Sequence, residues 1–359
     1  MKYIGVGIFF IRICLGTLFM TQLAFASPAP SYSAPLTMEQ PAGYKGKDRE
    51  QVLIEGAKKE GALSFYSAMN AKDSKPLVDN FQKKYPFIKV DLFSGLGDAV
   101  VARLIAEQKG RRFTADLYNG ATFNVERMRR EGLMTPYYTP AQDIYNKEDV
   151  DPNKYWVPIY RLILTFAYNT NEIKDPPKTW EDLLDPKWKG KLALEDTHED
   201  WLIHLYKFWG ETKAKDYFTR FGKQDLKIVH GNGVMQQMTI AGEVSGTPTQ
   251  YLHQAIADKK QGAPINYVLM DPMLASPSGM ALMKNAPHPH AALLFIDYAT
   301  SKEGQALIYA RGRNVAYPGM DPLVKGTTLL NDDPLVYMDN FDYWKNLFKD
   351  LLVVPNRRR

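Results

Sequence analysis

A single cysteine, Cys14, occurs in 359 residues, and it sits inside the first apolar stretch. Beyond residue 26 the chain therefore has no disulfide, no thiol nucleophile and no thiolate metal ligand to offer. No GxSxG elbow, P-loop or glycine-rich dinucleotide fingerprint follows any strand pattern, so serine-hydrolase, phosphate-loop and nicotinamide chemistry have no foothold. After the first 26 residues no run is long and apolar enough to span a bilayer. Charge of one sign is also lacking. Of the 45 basic residues, Lys2, Arg12, Arg357, Arg358 and Arg359 lie near the two ends, and the remainder balance the 40 acidic ones. Basic residues are not clustered with aromatics on any segment, so no nucleic-acid footprint is present. There is no internal repeat.

What is present begins with an address. Lys2, an apolar run from Ile4 to Phe25 and the small-x-small triplet Ala24-Phe25-Ala26 read as a signal peptide over 1–26, cleaved after Ala26. Arg12 in its middle makes a permanent span costly. Ile11-Arg12-Ile13-Cys14 lacks the small residues of a lipoprotein signal. Residues 27–47, rich in Pro, Ser, Ala and Gly, read as a disordered spacer. The rest, 45% hydrophobic and 24% charged over the full chain, has the make-up of a soluble globular protein with room for two cores.

Helix and strand patterns then alternate. Val52, Leu53 and Ala57 mark a helix ending at Gly61, and "LSFYS" (63–67) is a strand. Leu77, Phe81 and Tyr85 recur at helical spacing before the alternating strand "IKVDLF" (88–93). A helix at "AVVARLIAEQ", a strand "ADLY" (115–118) and a helix through Val125, Met128 and Leu133 follow. "LILTFAYNT" (162–170) is a strongly apolar strand. Later strands are expected at "KIVHG", "EVSGT", "INYVLM" and "GMALMK", and a helix pair broken near Ser301 follows them. The alternation predicts an α/β protein whose mostly parallel sheets are covered by helices. Ligands in such sheets sit beyond the carboxyl ends of strands. That points to the loops Ser67 to Asn70, Asn119-Gly120, Gly231-Asn232-Gly233 and Thr247 to Gln250, with His198 nearby; Tyr66 and Tyr251, beside strand ends or helix starts, read either as half-buried packing or as ligand contacts.

"HEDWLIH" (198–204) looks like a metal motif and is not one. His198 and His204 are six residues apart, about 240° around a helix, and cannot share an ion on one face. His204, between Ile203 and Leu205, reads as a core-edge histidine. Thr197 or His198 suits a helix N-cap, with Glu199 and Asp200 in the first turn facing the positive helix end. Gly231-Asn232-Gly233 is either an anion cradle at a helix start or an ordinary turn with Asn232 as its cap. Arg161, opening an apolar strand, either pairs with a carboxylate or meets an anionic ligand.

"WEDLLDPKWKGKLALEDT" (180–197) carries a resemblance. With "LSFYSA", "MRREGLMTPY" (128–137), "LILTFAYNTNEI" and "MKNAPHPHAALLFIDYATSKEGQALI", it is similar to the type II periplasmic solute-binding proteins of ABC transporters, in the group containing the ferric-ion-binding proteins. The resemblance covers nearly all of the chain after the leader. It implies a two-lobe type II periplasmic binding protein fold: 48–160 plus 272–312 as lobe 1, 161–271 plus 313–359 as lobe 2, with solute bound between them by hinge closure. It implies a monomeric periplasmic binding protein, not an enzyme, without cofactor, delivering a small solute to an inner-membrane ABC permease with its ATPase. Where ferric-ion-binding relatives carry a tandem tyrosine pair, this chain reads Gln250-Tyr251-Leu252. Where they place a histidine and a carboxylate it has Asn70 and Ala121. The expectation is a small polar solute, anionic organic or phosphorylated, lined by Tyr66, Ser67, Asn70, Asn119, Gly120, Arg161, Thr197, His198, Asn232, Thr249 and Tyr251, with no metal. A ferric ion held with an anion is the alternative. A polyamine or thiamine-like cation, met by Asp200 and Trp201, is a third.

Overall fold

The structure, a computed structural model, describes residues 39–320 and 328–357. The expected leader (1–26) and most of the spacer lie outside the described residues. The spacer expected to reach residue 47 ends sooner, because α1 (Glu39–Gly43) is already helical and Ala42 is buried.

Elements alternate as follows: α2 (Arg49–Glu60), β1 (Ala62–Ser67), α3 (Ala71–Lys84), β2 (Lys89–Ser94), α4 (Gly97–Lys109), β3 (Leu117–Ala121), α5 (Thr122–Arg130), β4 (Met134–Thr135) and α6 (Ala141–Ile144). The long β5 (Trp156–Asn169) leads to β6 (Ala193–Glu195), α7 (Glu199–Trp209), α8 (Glu211–Phe221), β7 (Lys227–Val229), α9 (Asn232–Ala241), β8 (Gly246–Tyr251), α10 (Leu252–Lys260) and β9 (Ile265–Val268). A second long strand, β10 (Met273–Met283), precedes α11 (Pro289–Thr300), α12 (Lys302–Tyr309), β11 (Leu329–Asn331), α13 (Pro334–Asp339) and α14 (Phe341–Phe348). Gly61, at φ 68°, ends α2 where the sequence placed the stop, and Ser301 caps α12 by accepting the Gly304 N–H.

The main sheet runs β2-β1-β3-β10-β5-β8, with β1, β2 and β3 parallel and β10 antiparallel to both β3 and β5. β6 and β7 form a parallel pair, and a bridge from Leu192 to Gly246 brings β6 beside β8. Among the described residues two large hydrophobic cores and three small clusters result. One gathers Leu53, Phe65, Phe81, Leu117, Val157, Leu282, Phe295 and Val315. The other gathers Phe166, Trp180, Trp188, Trp201, Phe218, Leu274 and Phe348. β5 contributes Val157 and Tyr160 to the first and Leu164 and Phe166 to the second, and β10 is divided in the same way. Two long antiparallel strands therefore pass from core to core.

Four strands, β3, β5, β8 and β10, have limits that differ clearly from the sequence reading. β3 begins two residues later than expected, because Asp116 is withdrawn to bond the N–H groups of Ser64 and His288 and the His288 ring. It runs on through Asn119 and Gly120, which were expected in a loop. Asn119 stays in the sheet because its amide donates to Ser278 Oγ (3.0 Å) and Gly279 O (3.1 Å). β8 likewise begins after the turn at Gly242–Ser245 and includes Thr249, expected in the loop beyond; both its faces are buried, so no polar alternation marks it. β5 and β10 are each longer than the apolar runs "LILTFAYNT" and "GMALMK". Among the described residues no helix is long and apolar enough to cross a membrane.

Candidate functional site

The carboxyl ends of β6, β7 and β8 each turn directly into a helix, so the starts of α7, α9 and α10 lie side by side. His198 is the residue before α7, Asn232 opens α9, and Tyr251 closes β8 ahead of α10. Their side chains meet. His198 Nδ1 lies 3.1 Å from Asp200 Oδ1, its Nε2 lies 3.2 Å from Asn232 Oδ1, and the Tyr251 ring stands edge-on to the imidazole at 5.5 Å. His253 stacks on the other side of Tyr251 at 5.8 Å. None of the three helix starts carries a side-chain cap. Asn232 is thus not the cap that the turn reading proposed; its side-chain oxygen accepts from the protonated His198, and Gly231 occupies the cap position at φ 93°.

Burial opposes charge on His198, but Asp200, with Glu195 behind it, outweighs burial and raises the imidazole pKa to about 9. Asp200 is held below its usual range by the same partner, again against burial. The pair is an imidazolium and a carboxylate at neutral pH. Glu195 is occupied: it accepts the Thr197 N–H and hydroxyl (2.7 Å each) and the Gly231 N–H (3.1 Å). Burial and these acids push the Tyr251 phenol well above its usual value, so it keeps its proton and can donate. Thr249, on the same strand face as Tyr251, is fully buried with an unpartnered hydroxyl.

Other groups face this cluster from distant parts of the chain. Burial, then Asp200, raises the Asp332 pKa to about 8, so Asp332 is protonated at pH 7; its carboxyl lies 3.3 Å from Thr122 Oγ1 at the start of α5. Burial raises Glu199 to about 7. Tyr160 of β5 lies under the Arg313 guanidinium at 4.4 Å, and Arg313 pairs with Asp73 at 2.7 Å. Sequence reasoning singled out none of Glu195, Tyr160, Arg313 and Asp332. Only contacts between residues far apart in the chain mark them, and no local pattern could.

The remaining expected residues are placed elsewhere or otherwise engaged. Tyr66 turns its hydroxyl to Glu107 and Thr114, with Arg103 over its ring. Ser67 and Asn119 bond each other at 3.3 Å, both fully buried. Asn70 caps α3, accepting the Lys72 N–H, and is exposed. Gly120 pairs with Gly279, and the Tyr118 hydroxyl fills the space where a Cβ would stand. Thr197 is exposed and tied to Glu195. Arg161 takes the first of its two readings: it is buried and ion-paired with Asp149, and it also donates to Val315 O. His204 is buried beside the Asp200 carbonyl, as its apolar neighbours implied. Trp201 is a correction. It is fully buried against Trp180, Phe218 and Phe221, so it presents no face to a cation.

Among the described residues one group could interest a metal: Glu195, Asp196 and His230. Every carboxylate there already has partners, including Arg357 on Asp196, so the set reads as an ion-pair network. Two recesses, of about 340 and 240 Å³, lie apart from the His198–Tyr251 cluster and share none of its residues.

Two long strands crossing between two α/β cores, with uncapped helix starts at the strand ends, define a type II periplasmic binding protein fold. The bacterial extracellular solute-binding proteins match this chain over residues 116–346, and it belongs to that family. It is 28% identical over 279 residues to an uncharacterised protein of Haemophilus influenzae, covering 71% of this chain and 78% of that one. It is 24% identical to the Fe(3+)-binding periplasmic protein of Serratia marcescens, with 71% and 78% covered. It is also 24% identical to a putative 2-aminoethylphosphonate-binding periplasmic protein of Salmonella paratyphi A, with 62% and 67% covered. The fructose-6-phosphate-bound AfuA of Actinobacillus pleuropneumoniae superposes with a TM-score of 0.71 at 24% identity, covering 81% of this chain and 98% of AfuA.

Proposed function

We propose that the protein is the periplasmic component of an ABC importer and that it captures a small anionic organic solute, phosphorylated or phosphonylated, for an inner-membrane permease. The observation that carries this reading is the meeting of three uncapped helix starts at a protonated, buried His198. Helix starts present N–H groups and partial positive charge, and a dry setting strengthens both. Tyr251, Asn232 and Thr249 add neutral donors. Of the nearby acids, Asp200 is balanced by His198, Glu195 is held by the Thr197 and Gly231 donors, and Asp332 holds a proton at pH 7. The relatives named for a phosphonate and a sugar phosphate support the ligand class.

Ferric iron fits less well. A ferric ion asks for phenolate and carboxylate oxygens; here burial and the nearby acids keep the Tyr251 phenol protonated, and Asp200 and Glu195 already have partners. The division into lobes 48–160 plus 272–312 and 161–271 plus 313–359 belongs to the same reading; the two large cores support two lobes but not these limits, since Leu274 packs in the second core and Val315 in the first.

Calorimetry of the exported protein with fructose-6-phosphate, 2-aminoethylphosphonate, inorganic phosphate, glucose and ferric citrate tests it. At least one phosphoryl or phosphonyl compound binds and glucose does not. Asn232→Ala and Tyr251→Phe each weaken that binding about tenfold, the loss of one hydrogen bond to a charged group. Binding of ferric citrate alone overturns the reading.

A further inference from the structure

A recess of about 340 Å³ lies between the start of α2, the end of α3, the segment 138–140 and the end of α11. It is lined by four cationic side chains, Lys45, Lys47, Arg49 and Lys84, against two carboxylates, Glu50 and Asp297. Both carboxylates are engaged. Arg49 holds Asp297 at 2.7 Å and spends its other N–H groups on the carbonyls of Tyr44 and Tyr138. Glu50 accepts the Tyr85 hydroxyl at 2.9 Å. Among the described residues Lys45 and Lys47 have no carboxylate partner; Lys45 stands 4.6 Å over the Tyr138 ring. Lys84 reaches Glu303 at an exposed pair, 3.1 Å, and stands over the rings of Tyr85 and Tyr298 at 5.7 and 5.6 Å.

The walls are flat and partly apolar: Tyr85, Tyr138 and Tyr298, with Leu294 and Pro140. Tyr298 is only 3% exposed, yet its hydroxyl has no hydrogen-bond partner. Burial, with the Glu303 carboxylate as the neighbouring acceptor, pushes its pKa up to about 12, so it keeps its proton.

We propose that this recess is a second ligand site, for a small planar carboxylate. The carboxylate lies among Lys45, Lys47 and Lys84 and accepts from Tyr298, while its flat body rests against the three tyrosine rings. The volume is at the lower end of small-molecule sites, which limits the ligand to about the size of a substituted benzoate. The site shares no residue with the His198–Tyr251 cluster, so it stands whatever solute that cluster takes.

The test is a titration of the isotope-labelled exported protein with benzoate, and with benzamide as its neutral isostere, followed by amide chemical shifts. Benzoate shifts signals of residues 45–50, 84–85 and 294–301 and saturates in the millimolar range, and benzamide binds at least about tenfold more weakly. The double substitution Lys45→Gln with Lys47→Gln, exposed and remote from either core, weakens benzoate about tenfold without changing thermal unfolding. Tyr298→Phe lowers benzoate affinity while the fold is retained. No shift at these residues, equal response to benzamide, or indifference to the lysine substitutions overturns the proposal.

Discussion

At the scale of single residues, His198 holds both the chemistry of the site and a measurable signature. Its pKa rises from 6.5 to about 9 on folding. A raised base contributes stability that is complete below the unfolded value and fades as pH climbs through the folded one. The His198–Asp200 pair therefore contributes on the order of 3 kcal/mol below pH 6.5, declining toward pH 9 and above. Denaturant unfolding between pH 6 and 10 should show that decline, and His198→Gln should flatten it. Asp332 behaves in the mirrored way. Its pKa is raised from 3.8 to about 8, so the folded state is penalised progressively as pH rises across that window. Asp332→Asn, which keeps the neutral shape, should gain stability relative to the native chain from pH 5 to pH 8 and gain nothing further beyond. A constant difference across that range would show that Asp332 is ionised throughout.

These two residues also mark what was legible. His198, Asn232 and Tyr251 stand beside strand ends, and local pattern with the resemblance was enough to choose them. Asp332 lies 132 residues beyond Asp200 in numbering, and nothing near it in the sequence says that the two face each other. Arg161 shows the converse. The cost of burying an unpaired guanidinium was legible; the identity of its partner, Asp149, was not.

At the scale of elements, the site depends on where helices begin. Gly231 turns the chain from β7 into α9 at φ 93°, ψ 121°, a conformation that side chains with a Cβ rarely adopt. Space around it is open, so the conformational cost acts alone. Gly231→Ala should destabilise the protein by about 1–3 kcal/mol and move Asn232 off His198, lowering solute affinity, with unfolding and calorimetry as the readouts. Unchanged affinity would mean that the α9 start does not position the ligand. Helices were read well because 3.6-residue spacing survives burial of one face. Strands were read less well: β8 is buried on both faces and β3 carries Asn119 and Gly120 inside the sheet, so polarity misled in both.

At the scale of the whole molecule, β5 and β10 are not the only ties between the two cores. The chain after β11 reaches both. Arg130 of α5 bonds Asp339 at 2.6 Å and Phe123 packs on Tyr337 at 5.0 Å, while Lys207 of α7 meets Asp333 at 3.4 Å and Tyr206 packs on Trp344 at 5.6 Å. If the protein closes on its solute as the proposed function requires, α13 and α14, which touch both cores, would act as a strap favouring the closed arrangement. Tyr337→Ala removes the ring between them and should raise the radius of gyration of the solute-free protein in small-angle scattering, while saturating solute restores the native value. A radius unaffected by the substitution would mean that the strap does not govern closure.

The central claim is that the His198–Asn232–Tyr251 cluster holds a small organic anion. Native mass spectrometry of the protein, purified gently from a host that exports it, tests this most directly. The account predicts an adduct of a small phosphorylated or phosphonylated organic molecule, released on denaturation and absent from the His198→Gln, Asn232→Ala double variant. An adduct of ferric iron, alone or with an inorganic anion, would contradict it.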